Sequence, residues 1–226
     1  LGRLILGLLI NQNEKVKLIG DKSLSRRDFS RVINPLKKFG AKFYVNNKNT
    51  LPLSIIGSGY AKPIDYFEFR GSAQCKSSVM LAALNTPGET TIKAKKSRNH
   101  TELLYKYLKI PIKIKKTKNF DFIRIHGVKK ISPLKYNVPA DISSSAFFIV
   151  LTALSKSSTL VIKNVNINPS RIGIIKILKR MGVNISFKNQ KKYKGENVAH
   201  IVVKSSKRIN AINCPSSLNS SAIDEV

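Results

Sequence analysis

Asn168-Pro169-Ser170-Arg171, followed by Ile172 to Met181, Gly182 and Val183 to Phe187, is the stretch that decides the fold. A polar turn ending in arginine leads into a segment with apolar residues at helical spacing. A glycine suited to the left-handed position after a helix comes next, and then an alternating run that reads as a strand. The same order occurs twice upstream. Ser23, Ser25, Arg26 and Arg27 precede a helix over Phe29–Phe39, whose apolar residues Val32, Ile33, Leu36 and Phe39 share one face; Gly40 and a strand over Lys42–Val45 follow. Ser97-Arg98 precedes a helix over Thr101–Leu108 and a strand alternating through Ile110, Ile112 and Ile114. Arg27, Arg98 and Arg171 stand 71 and 73 residues apart.

Each of these stretches is led by a further helix and strand. They are Arg3–Leu9 with Val16–Ile19, then Ala73–Leu84 with Thr90–Ala94 across the turn Thr86-Pro87-Gly88, then Ser144–Leu154 with Thr159–Ile162. A period near 70 residues is too long for a solenoid and suits a compact α/β subdomain used several times. Lys129–Pro139 is polar, carries two prolines and shows no period, which predicts a domain boundary there. The expected domains are 1–138, holding two repeat units, and 139–226, holding one unit and the start of the next.

The 226 residues carry 41 Lys plus Arg against 12 Asp plus Glu, a formal charge of +29. Such an excess points first to nucleic acid. The basic residues, 31 of them Lys and 10 Arg, are instead spread along the chain, and the dense runs Lys113–Lys118 and Lys188–Lys194 are not interleaved with aromatics as a single-strand surface would be. They read as strand edges and hairpin tips, where lysine discourages edge pairing. The apolar runs Leu4–Ile10 and Ala146–Leu154 are far short of the roughly 20 residues that span a bilayer, so no membrane partner is expected. Cys75 and Cys214 have no companion ligands, which fits a reduced, cytoplasmic setting. Leu1 opens a segment without signal-peptide character, and both ends read as cut from a longer chain.

His100, His126 and His200 have no metal-ligand spacing, so no metal is expected, and His126 reads as a strand residue. There is no GxSxG elbow and no GxxxxGK[ST] phosphate loop. What recurs is serine at helix starts. Ser72, before the helix at Ala73, and Ser143-Ser144-Ser145, before the third helix pair, are expected caps that leave amides facing outward. Hydroxyls and unpaired amides at a helix N-terminus hold phosphate, and the guanidinium forks of Arg26, Arg27 and Arg98 match phosphate and carboxylate oxygens. Together they predict an anion-binding cleft. Arg171 is expected as a cap or ion-pair residue.

Gly20-Asp21-Lys22-Ser23-Leu24-Ser25-Arg26-Arg27 with Arg31-Val32-Ile33-Asn34-Pro35-Leu36 resembles the 3-phosphoshikimate 1-carboxyvinyltransferase (EPSP synthase) family. Ser72-Ala73-Gln74-Cys75-Lys76-Ser77-Ser78, Ser97-Arg98-Asn99-His100-Thr101-Glu102, Pro139-Ala140-Asp141, Asn168-Pro169-Ser170-Arg171 and Ile223-Asp224-Glu225 follow in that family's order. The SAQxKS and SRxHTE patterns are specific to it among enolpyruvyl transferases. The resemblance implies an α/β fold of enolpyruvyl-transferase-like βαβαββ repeats forming two domains, here incomplete. It implies an enzyme of the shikimate pathway of aromatic amino acid biosynthesis that moves the enolpyruvyl group of phosphoenolpyruvate to the 5-hydroxyl of shikimate 3-phosphate, releasing phosphate.

Residue by residue, the resemblance implies that Ser72, Ala73, Gln74, Ser97, Arg98 and Asp224 contact shikimate 3-phosphate and that Arg27 and Gln74 contact phosphoenolpyruvate. Asp224 is implied as the catalytic carboxylate beside the reacting hydroxyl, a position that otherwise reads as a helix cap. It implies no cofactor, two small anionic substrates as partners, and a monomer at full length. The chain departs from the family in lacking its amino-terminal Gly-Asp-Lys-Ser segment and its later Lys-Glu segment, so the polypeptide as given is expected to be inactive. Asp28 stands where the family usually has proline, which places beside Arg27 a carboxylate able to compete with substrate for it. The alternatives are a basic nucleic-acid-binding protein, which would lose affinity steeply with salt, and a catalytically dead homologue.

Overall fold

The computed structural model describes residues 1–225. Contacts group the chain into two units, Leu1–Lys96 with Leu108–Ser132, and Ser97–Tyr107 with Pro133 onward.

The first unit begins with α1 (Gly2–Leu8), a 3-10 turn (Leu9–Asn11) and β1 (Val16–Leu18). After α2 (Ser30–Lys38) come β2 (Lys42–Tyr44) and β3 (Leu53–Ile56). It continues through β4 (Asp65–Glu68), α3 (Ala73–Leu84) and β5 (Glu89–Lys95), and closes with β6 (Ile112–Lys116) and β7 (Phe120–His126). Two sheets result, in the orders β1-β3-β2 and β4-β5-β7-β6. Pairing is antiparallel except between β4 and β5, where Phe67 lies opposite Lys93.

The helices pack by patterning. Val32, Ile33 and Leu36 form the buried stripe of α2, as the sequence spacing predicts, and Gly40, at φ +106°, ends it in the left-handed region. Helix α3 is buried around most of its circumference, covering Cys75, Lys76, Ser78, Val79, Met80, Ala82, Ala83 and Leu84. Its backbone approaches α1 at Gly7, where a Cβ would stand 2.2 Å from the Ser78 carbonyl oxygen, and Ser78 Oγ donates to the Arg3 carbonyl at 3.0 Å.

The second unit holds α4 (His100–Tyr107), α5 (Ile142–Leu154), β8 (Thr159–Asn166), α6 (Gly173–Arg180), β9 (Asn184–Tyr193) and β10 (Glu196–Lys204). Its sheet runs β8-β10-β9. Ile142, Ile149, Val165, Ile175, Ile201 and Val203 lie at the centre of its core. Lys194 and Gly195, at φ +48° and +91°, form the two-residue turn between β9 and β10, the conformation that matches strand twist in a tight hairpin.

One topology recurs. In chain order β4, α3, β5, α4, β6 and β7 follow a βαβαββ sequence, and the sheet places the four strands first, second, fourth, third, while α4 itself groups with the second unit. The orders β1-β3-β2 and β8-β10-β9 repeat the last three places. In the third repeat, within the second unit, a single parallel bridge, Ala140 to Val165, stands where the leading strand would be. The runs at 113–118 and 188–194 fall on the edge strands β6 and β9 and their turns, as expected. Strands β3, β4 and β10 carry no signal that the sequence reading used. Among the described residues no helix is long and apolar enough to cross a membrane.

Candidate active site

In the first unit the N-terminus of α3 is built from Glu68 to Gln74. Gly71 turns the chain at φ +74°, and the buried Glu68 carboxylate accepts from the amides of Ser72 at 2.9 Å and Arg70 at 3.2 Å. Ser72 caps the helix as expected, its Oγ accepting from the Cys75 amide at 3.2 Å. Ala73 opens the first turn. Gln74 Oε1 accepts from Arg3 Nη1 at 3.0 Å, and Arg3 Nη2 donates to the Asp28 carbonyl at 2.8 Å. Arg3 thus ties Ser72-Ala73-Gln74 to the segment that carries Arg27. Sequence reasoning missed it, because a contact across 71 residues leaves no local signal.

Arg27 is exposed at the end of the short 3-10 turn Leu24–Arg26. Beside it the Asp28 carboxylate accepts from the Ser30 amide at 2.7 Å and the Ser30 hydroxyl at 2.6 Å, at the start of α2. Those two bonds, the hydroxyl's foremost, hold the Asp28 carboxyl below the usual carboxylate range, with Arg31 and Arg3 adding in the same direction.

In the second unit the expected Ser143–Ser145 cap is also corrected. Asp141 caps α5, its Oδ2 accepting from the Ser144 amide at 2.9 Å, and the serines occupy the first turn of the helix. Arg171 Nη2 donates to Asp141 Oδ1 at 2.9 Å and to Ser143 Oγ at 2.5 Å, so Arg171 is an ion-pair residue at that helix start. Ser143 Oγ in turn donates to the Glu225 carboxylate. Beside it Arg98 Nη2 reaches Asp224 Oδ2 at 2.5 Å, and Arg171 Nη1 stands 3.9 Å from the same oxygen. Arg98, Arg171 and Asp224, drawn from three distant stretches of sequence, are brought together. Asp224 is an ion-pair partner of both arginines. Ser97 Oγ is buried with no hydrogen-bond partner among the described residues.

A second network anchors the start of α4. Asn168 Nδ2 donates to Asn99 Oδ1 at 2.9 Å and to Glu196 Oε2 at 3.1 Å, and His100 Nδ1 lies 2.5 Å from Glu196 Oε1. Burial pushes the Glu196 carboxyl up, but the His100 bond and charge, with the bonds from Asn168 and Asn166, outweigh it and leave the group below its usual range. A cleft of about 540 Å³ opens here, lined by His100, Asp141, Arg171, Lys194 and Glu196 among others. His126 lies on β7, where the sequence places it, with Nε2 2.7 Å from Glu89. Among the described residues no three His, Cys, Asp or Glu side chains are grouped to hold a metal.

A βαβαββ order of elements repeated with one strand order defines an α/β fold of the kind found in enolpyruvyl transferases. The enolpyruvyl transferase NikO from Streptomyces tendae shares the fold at a TM-score of 0.65 and 13% identity, over 90% of this chain and 46% of that one. More narrowly, the chain belongs to the EPSP synthase (3-phosphoshikimate 1-carboxyvinyltransferase) family, whose family model matches residues 2–220. It is 42% identical over 225 residues to the 3-phosphoshikimate 1-carboxyvinyltransferase of Ruthia magnifica subsp. Calyptogena magnifica, covering 99% of the chain and 50% of that relative. With the enzyme of that name from Petrotoga mobilis it shares 42% over 207 residues, 90% of the chain and 47% of the relative. The structure of EPSP synthase from Acinetobacter baumannii matches at a TM-score of 0.83 and 36% identity, over 99% of this chain and 50% of that one. The chain spans about half the length of the curated relatives it matches.

Proposed function

We propose that this chain is the part of an EPSP synthase that carries much of its shikimate 3-phosphate recognition. The whole protein would transfer the enolpyruvyl group of phosphoenolpyruvate to the 5-hydroxyl of shikimate 3-phosphate. In the reaction the hydroxyl oxygen bonds to C2 of phosphoenolpyruvate while C3 takes a proton; loss of phosphate from C2 and of a proton from C3 then restores the double bond.

The observation that carries this reading is the buried Ser97 hydroxyl, unpartnered among the described residues and followed by Arg98. An unmet hydroxyl donor costs free energy in a buried place, and a phosphate oxygen supplies its acceptor while the guanidinium balances the charge. In this reading Ser72, Ala73 and Gln74 serve the same substrate from the start of α3, where the helix dipole favours an anion. Gln74 and Arg27 serve phosphoenolpyruvate, and Asp224 accepts the proton of the hydroxyl as the new C–O bond forms. The reading also assigns residues 1–138 to a first-half domain and 139–226 to the start of a second. It further holds a cytoplasmic, monomeric whole protein with no cofactor and no nucleic-acid partner.

Calorimetric titration of the chain with shikimate 3-phosphate tests the proposal. Saturable one-to-one binding that is lost in Arg98→Gln supports it. Heat only with an oligonucleotide, falling steeply with salt, overturns it.

A further inference from the structure

We propose that in the ligand-free chain Asp224 occupies the seat of a substrate phosphate on Arg98, so that an arriving phosphate frees this carboxylate only by displacing it. The inference rests on the reading of Arg98 as a phosphate-binding residue and adds a coupling between that residue and the catalytic carboxylate.

Three observations carry it. Arg98 Nη2 lies 2.5 Å from Asp224 Oδ2, the distance of a charge-assisted hydrogen bond, and a guanidinium fork accepts a carboxylate or a phosphate with the same geometry. The pair is open to replacement, because the Asp224 side chain is 47% exposed and that of Arg98 24%, and a solvent-screened ion pair is weak. A second cation waits for the displaced group. Arg171 Nη1 is already 3.9 Å from the same oxygen, its side chain is only 15% exposed, and its other nitrogen is fixed on Asp141 Oδ1 and Ser143 Oγ. Phosphate on Arg98 therefore leaves Asp224 held from one side and turned loose on the other, where a substrate hydroxyl can meet it. Glu225, tied to Ser143, keeps the neighbouring backbone on α5 throughout.

The same geometry makes the carboxylate a competitor, which gives a test of unusual sign. Inorganic phosphate and shikimate 3-phosphate are titrated, at fixed ionic strength, into the wild-type chain, Asp224→Asn, Glu225→Gln, Arg98→Gln and the Arg98→Gln/Asp224→Asn double variant. Inorganic phosphate should bind Asp224→Asn about fivefold more tightly than wild type, the upper range for a half-exposed pair. Arg98→Gln should lose phosphate binding, and adding Asp224→Asn to it should change nothing. Unchanged or weaker phosphate binding in Asp224→Asn overturns the proposal. An equal gain in Glu225→Gln overturns it too, because the effect would then be the general field of a removed charge. If phosphate shows the gain but shikimate 3-phosphate binds no better than phosphate, the competition stands and the proposed function falls. Tight shikimate 3-phosphate binding with no gain for phosphate gives the reverse.

Discussion

Helices α3 and α5 hold the same place in their repeats, yet their surroundings differ. Helix α3 is enclosed: α1 packs against it through Gly7, α2 lies beside it, and buried residues cover most of its circumference. Helix α5 buries Ile142, Ala146, Ile149 and Ala153 against its own sheet and leaves Phe147, Phe148, Leu151 and Leu154 each more than half exposed. Both helices nevertheless begin in the same manner, with a side-chain cap and an arginine close by, Ser72 with Arg3 near Gln74, Asp141 with Arg171. These two copies share the capped start with an arginine beside it, while burial of the outer face depends on what packs against each helix.

Disturbing the enclosed helix α3 should have the largest effect. Gly7→Val should destabilise the first unit by about 3 kcal/mol, because its Cβ meets the Ser78 carbonyl. The sign is telling, since replacing glycine inside a free helix ordinarily stabilises it. Urea unfolding measures it. Met80→Ala in α3 should cost about 2–5 kcal/mol through the cavity it opens, while Leu151→Ala in α5 should stay within about 0.5 kcal/mol. Equal costs at the two positions would mean that α5 is as enclosed as α3. Next come the helix starts. Asp141→Ala and Ser72→Ala should each cost about 1 kcal/mol as lost caps, and helical amide exchange near 144 and 75 should speed up accordingly.

The smallest effect is pH-dependent. Glu196 has its carboxyl lowered in the folded chain, so its stabilising contribution is complete above the ordinary carboxylate range and is lost as pH falls through and below it. Thermal melts of the second unit should therefore lose stability between about pH 5 and pH 3, and Glu196→Gln should flatten that slope. An unchanged slope would remove the His100–Glu196–Asn168 network from the account.

Much of this was legible in the sequence for physical reasons. Helices with a one-sided apolar stripe, such as α2 and α6, and closing glycines at 40 and 182, write their boundaries locally. Strands β8 and β9 run past the alternation that marks them, to Asn166 and Tyr193, because β10 pairs along their length and supplies bonds that no local pattern encodes. Three consecutive serines are the stronger local cap signal, yet Asp141 caps α5 and also pairs with Arg171 from the loop after β8. Arg3 and the approach of Arg171 to Asp224 are contacts across long separations, visible only once the repeats are folded.

Hydrogen exchange of the chain with and without saturating shikimate 3-phosphate tests most directly whether these helix starts hold that substrate. Exchange should slow at the amides of 72–76 and 97–101 and in the segment reaching 224, with the lysine runs at 113–118 and 188–194 unchanged. Protection confined to those runs, or none at 72–76 and 97–101, would contradict it.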